Sequence, residues 1–171
     1  MHFVWIDCEM TGLDVHNDHI LEIACIITDC DMKIIIEYHS VIYQNNKILE
    51  VMGDWCKITH AKSGLIQLVK ESKKKYSEVE SEIVAILCQY AKKKETYIAG
   101  NSVYNDLIFI KKYMPLIVDF LHYRIFDIST FKILAEMKAI PFFIKKKHHL
   151  ALSDIRESIA EYNYYNKLLF K

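Results

Sequence analysis

Five residues of this chain have the types and spacing to work on a phosphodiester: Asp7, Glu9, Asp106, His149 and Asp154. Asp7 and Glu9 lie in FVWIDCEMTGLD, Phe3 to Asp14. Side chains of an extended strand repeat every two residues, so both carboxylates share a face with Phe3 and Trp5, while Val4, Ile6, Cys8 and Met10 take the other. Two like charges about 7 Å apart on a strand that its apolar neighbours would bury are costly without a positive partner, and a bound cation is the simplest one. An Asp-x-Glu pair is also common at surface strand ends, so its meaning depends on what else the chain supplies.

Asp106 falls near the start of a predicted helix, and Asp154 in the first turn of the last helix, five residues after His149. Singly, each acid reads equally well as a helix-dipole or capping residue. Jointly they offer four oxygen donors and one group that titrates near neutrality. Oxygen-only ligation selects Mg²⁺ or Mn²⁺ over zinc, and two such cations about 3.5–4 Å apart can clamp the attacking and leaving oxygens of a phosphodiester. His149 then serves as the general base that takes a proton from water. Five residues are about 500° of helix, so His149 and Asp154 cannot share a helix face, which places His149 in the loop before the helix.

Strands and helices must hold these groups. After the Thr11-Gly12 turn, Leu21 to Thr28 and Met32 to Tyr43 read as two further strands, joined by a hairpin-sized linker that predicts an antiparallel meander. KILEVM then reads as a short helix, DWCKITHAKSG as a polar connection carrying Trp55 and His60, and SGLIQLVKES as a second short helix. A longer helix starts at Ser77 with an S-E-V-E capping box and ends in the lysines 92–94. Thr96 to Gly100 is a strand feeding a helix that stops at Pro115; Arg124 to Ile128 is a strand, with Ser129 as N-cap of the helix that follows. Residues 139–149 have no helical period, and a helix from about Leu150 to Phe170 closes the chain. Three successive strands and then alternating strands and helices predict an α/β domain, a mixed sheet with helices packed on its faces, over the single span 1–171.

With 22 basic and 22 acidic residues, formal net charge is zero, which argues against a protein that coats long polyanions and leaves room for a local site for a short one. The odd, scattered cysteines (Cys8, Cys25, Cys30, Cys56, Cys88) fit reduced thiols rather than a disulfide framework. No apolar run reaches membrane-span length. A cytoplasmic protein without membrane contact is the expectation, or a mitochondrial one if a leader is absent from this sequence.

The motifs WIDCEMTGLD, DHILEIA, WCKITHAKSGL, GNSVYND, KYMP, HYRIFDISTFK and HLALSDIRES run in order along nearly the whole chain. In this order they resemble the oligoribonucleases, a DEDDh branch of the ribonuclease H-like 3′-to-5′ exonucleases. The resemblance implies a mixed five-stranded sheet with helices on both faces, and hydrolysis of very short RNA, chiefly dinucleotides, to 5′-mononucleotides with two divalent cations, Mg²⁺ or Mn²⁺. It assigns Asp7, Glu9, Asp106 and Asp154 to the metal and His149 to the base. It also implies that Leu13 and Trp55 pack against bases, that Ser102, Arg124 and Ser129 cap the substrate's 5′ phosphate, and that Tyr123 and His60 reach in from the second subunit of a homodimer. The residue types agree: Arg124 offers a planar fork for phosphate, Ser129 sits at a helix N-terminus, and Trp55 offers a stacking face. The chain departs from the common pattern at Ser153, where many relatives carry a second acid, and at Leu107 and Ile108, where a basic pair is usual.

Three other readings compete. One keeps the chemistry but trims longer or structured strands, which calls for basic surface that a neutral chain lacks. Another is an inactive binding protein, which calls for a lost core residue. The third is a zinc module on Cys56-x3-His60 with His148 and His149, for which only one half-site has the spacing.

Overall fold

The computed structural model describes residues 1–145 and 150–170. The sheet has five strands in the order β3-β2-β1-β4-β5: β1 His2–Met10, β2 Ile20–Thr28, β3 Ile34–Val41, β4 Thr96–Gly100 and β5 Ile125–Asp127. β1 is central. It pairs antiparallel with β2, which pairs antiparallel with β3, so the predicted meander is present; β4 runs parallel to β1 and β5 parallel to β4.

Alternation along β1 sends its side chains into two cores. Val4, Ile6 and Cys8 pack with Val79, Ile83 and Leu87 of α4 (Tyr76–Tyr90) and with Phe109 and Ile110 of α5 (Tyr104–Tyr113). Phe3 and Trp5 pack on the opposite face with Ala151, Ile155 and Ile159 of α8 (Ala151–Leu169). Helices therefore cover both faces. Burial of this kind contributes roughly 1.5–3 kcal/mol per large apolar side chain, and a strand packed on both faces is the rigid place to mount two carboxylates.

Local structure departs from the sequence expectation in four places. DWCKITHAK is a helix, α2 (Asp54–Lys62), set between α1 (Asn46–Glu50) and α3 (Leu65–Glu71). It buries only His60, so no apolar stripe announces it. The N-cap of α4 is Lys75 and not Ser77: Glu78 accepts the Lys75 N–H at 2.8 Å, and the lysine ammonium, which only donates, cannot return the bond. Pro115 ends α5 and also opens α6 (Pro115–Phe120), because a first-turn residue needs no N–H partner. Glu80, from the expected box, instead accepts the Leu116 N–H at 2.6 Å. Ser129 is the first residue of α7 (Ser129–Met137), with Ile128 at the N-cap.

Candidate active site

Asp7, Glu9 and Asp154 converge: one carboxylate oxygen from each lies within 4.8 Å of the others. β1 supplies two of them at the period of a strand and the first turn of α8 supplies the third. Asp106, in the first turn of α5, points to the same strand, where its Oδ1 accepts the N–H of Cys8 at 2.9 Å. The amide between the two β1 acids thus fixes Asp106 against them.

These carboxylates repel one another in a buried place. Burial, then Asp106, Glu9 and Asp154, hold Asp7 well above the usual carboxylate range. Glu9 is pushed up to about 8, first by burial and then by Glu22 and Asp154. Asp106 is raised to about 7 by burial, against the opposing pull of the Cys8 N–H. Asp7, Glu9 and Asp106, which resist ionising together, make a site for positive charge, and with Asp154 their donor set, all carboxylate oxygen, suits hard divalent cations.

Glu22 deepens this charge. It stands opposite Glu9 in the β1–β2 register, is buried, and holds His39 of β3 through Oε1. The run Leu21 to Thr28 read as a strand and gave no sign that its glutamate would face the acids of β1.

His60 does not reach out to a second subunit; this expectation is corrected. It is 1% exposed, its Nε2 lies 2.9 Å from the Met10 carbonyl and its Nδ1 3.8 Å from Glu9 Oε2 in its own chain. A carbonyl only accepts, so Nε2 carries a proton and Nδ1 faces the acid. α2, the helix hidden from the sequence, exists to seat this ring at the end of β1.

Leu13 and Trp55 are surface residues, 70% and 64% exposed, although both are large and apolar. Leu13 rides on a loop braced by Asp18, whose carboxylate accepts the Thr11 hydroxyl at 2.7 Å and the Asp14 N–H at 2.9 Å. Gly12 makes room for that carboxylate: a Cβ there would lie 2.3 Å from Asp18 Oδ2. Asp18 was visible in the sequence only as part of a motif, and its brace needs the fold.

Ser102 and Ser129 meet on one carboxylate. Asp127 Oδ1 accepts the N–H of Ser102 at 2.9 Å, the N–H of Ser129 at 2.9 Å and the Ser129 hydroxyl at 2.7 Å. Ser102 takes a left-handed backbone, φ 55°, to do so. The anion at the start of α7 is therefore Asp127 itself, which corrects the expectation of Ser129 as an N-cap open to phosphate. Arg124 precedes β5 at the end away from Asp127, and its guanidinium lies 5.3 Å over the ring of Tyr123, which is 80% exposed. His149 lies outside the described residues.

Comparison with known proteins identifies the fold and the family. The exonuclease family model RNase_T matches residues 4–162. Solved structures of exonuclease I share the fold: that of Methylocaldum szegediense at TM-score 0.74 and 16% identity, covering 97% of this chain, and that of E. coli bound to a dT13 oligonucleotide at 0.73 and 15%, covering 99%. This chain spans only 40% and 42% of those two chains. The fold and its acidic centre thus define a ribonuclease H-like exonuclease domain.

Full-length relatives narrow the class. The oligoribonuclease of Actinobacillus pleuropneumoniae is 45% identical over 168 residues, 96% of this chain and 91% of that one, and that of Haemophilus ducreyi is 43% identical over 174 residues, 99% and 95%. The chain belongs to the oligoribonuclease family of exonucleases. It is a hydrolytic exoribonuclease, and exonucleases of this kind use divalent metal ions.

Proposed function

We propose that the protein, acting as a single exonuclease domain, removes nucleotides from the 3′ end of very short RNA, chiefly dinucleotides, and releases 5′-mononucleotides. The observation that carries this reading is the convergence of Asp7, Glu9 and Asp154 within 4.8 Å, with Asp106 locked to the same strand. Those four acids would hold two divalent cations, Mg²⁺ or Mn²⁺. When bound, such ions polarise the phosphate and ready a water for attack.

The chain's own residues do the rest. Leu13 and Trp55, kept exposed at a cost in surface hydrophobicity, offer faces for bases. Ser102, Ser129 and Arg124 are the residues we assign to a cap on the 5′ phosphate, with Arg124 as its cationic member and the Ser129 hydroxyl turning from Asp127 to donate to it. A capped 5′ phosphate leaves a longer strand no path onward, which is a physical basis for preferring dinucleotides. His149 takes the proton from water. Water attacks phosphorus, the bond to the 3′ oxygen of the preceding nucleotide breaks, and that oxygen leaves with a proton taken from solvent.

Tyr123, exposed beside Arg124, is the residue we assign to a homodimer contact, completing the cap of a second copy. A cytoplasmic location fits cysteines that are all free thiols. No helix among the described residues is long and apolar enough to cross a membrane.

The test is turnover of 5′-phosphorylated RNA of two, three, five and ten nucleotides with Mg²⁺, with Mn²⁺ and with EDTA. Metal-dependent cleavage steepest for the dinucleotide is expected. Cleavage favouring the longer strands would replace the dinucleotide reading with that of a trimming exonuclease.

A further inference from the structure

A cavity of about 400 Å³ adjoins the acidic centre; Asp7, Asp154, Asn101, Glu157 and Ser158 line it, and so do Lys132 of α7 and Lys145, which precedes α8. The two lysines are not loose surface cations. Both converge on Glu161, which is fully buried in α8: Lys132 Nζ lies 3.3 Å from Oε1 and Lys145 Nζ 2.9 Å from Oε2. Lys132 also donates to Asn101 Oδ1 at 2.8 Å, and Lys145 to the Ser158 hydroxyl at 3.0 Å. Ser158 in turn donates to the Asp154 carbonyl at 2.9 Å.

The spacing on α8 explains the arrangement. Asp154, Ser158 and Glu161 stand at i, i+4 and i+7, one face of a helix, so the residue that meets the acidic centre and the residue that anchors the lysines are two turns apart on one rigid rod. A buried carboxylate needs a cation, and one ammonium would neutralise it. The second leaves one positive charge beyond what Glu161 needs, set beside Asp7, Asp154 and Glu157. Each ammonium carries three N–H donors; among the described residues Lys132 gives one to Asn101 and Lys145 one to Ser158, while Glu161 stands at ion-pair distance from both without accepting a hydrogen bond.

We propose that Lys132 and Lys145 form an anion subsite of the active centre that takes a phosphate oxygen of the bound nucleotide, with Glu161 as the positioning residue that holds both ammonium groups in place. A compact ammonium on a flexible stem suits a phosphate that must be held and then released. The proposal rests on the reading of the site as one that cleaves phosphodiesters.

The test compares binding of 5′-UMP with that of uridine, its phosphate-free control, in calcium, for the wild-type protein and for Lys132→Gln, Lys145→Met and Glu161→Gln. Wild-type protein should prefer UMP. Each lysine variant should lose about tenfold in UMP affinity, the size expected for one charge-assisted hydrogen bond, with uridine affinity unchanged. Lys145→Arg, which keeps the charge, guards against misreading a folding defect and should retain most of the UMP preference. UMP and uridine affinities falling together, or a drop in melting temperature with UMP preference intact, would overturn the subsite and leave the triad as a brace between α7 and α8. Wild-type protein that prefers UMP yet cleaves no short RNA would keep the subsite and remove the proposed function instead.

Discussion

The N–H of Cys8 donates to Asp106 across 2.9 Å, and this bond joins the central strand to α5 at the point where both acids of β1 leave the backbone. It gives Asp106 two separable duties, an acceptor for a buried amide and a negative charge for the site. Asn can perform the first and not the second. Asp106→Asn should therefore fold, with a melting temperature equal to or above that of the parent, while metal-dependent turnover falls by about 100-fold or more. Asp106→Leu should also lose about 1–3 kcal/mol of stability, because the Cys8 amide is then buried unpaired. Thermal denaturation beside kinetics separates the two; an unfolded Asn variant would refute the division.

The acids set a pH dependence whose sign is opposite to that of an ordinary salt bridge. Glu9 is raised from 4.5 to about 8 and Asp106 from 3.8 to about 7, so between those values the folded chain holds protons that the unfolded chain has lost. Stability of the cation-free protein should then fall as pH rises from about 5 to about 8. Divalent cations displace those protons, so the melting-temperature gap between samples in Mn²⁺ and in EDTA should widen over the same window. A gap that does not change with pH would count against the carboxylates as ligands.

Trp55 and Leu13 are exposed, so their loss should leave the fold alone. Trp55→Ala and Leu13→Ala should each change stability by no more than about 0.5 kcal/mol. Dinucleotide KM should rise at least about fivefold, since stacking on a base contributes about 1–3 kcal/mol. Unchanged KM in both variants would remove them from the substrate path.

Gly12 and Asp18 shape the loop that carries Leu13. A methyl group at Gly12 would meet the Asp18 carboxylate at 2.3 Å, so Gly12→Ala must displace the brace and with it the loop. KM should rise about as much as in Leu13→Ala, and the double variant Gly12→Ala/Leu13→Ala should add little more, because both changes remove one interaction. Full additivity would show that the loop acts by another route.

The sequence by itself determined the sheet and the acids. Period-two alternation in β1 placed Asp7 and Glu9 on one face, apolar strands and one hairpin-length linker pointed to the meander, and Asp106 and Asp154 were legible as acids near the starts of helices. These are local patterns, set by side chains within a few residues of one another. α2 escaped because only one of its residues, His60, is buried, and the starts of α4 and α7 were misplaced because Lys75 and Asp127, rather than a serine, serve their first turns. The tertiary structure alone decided which distant groups meet: His60 against Glu9, Glu22 opposite Glu9, Asp127 under two serines, Asp18 beneath Gly12, and two lysines on Glu161. Each joins residues whose separation in the chain carries no period, so only the packing of strands and helices could bring them together.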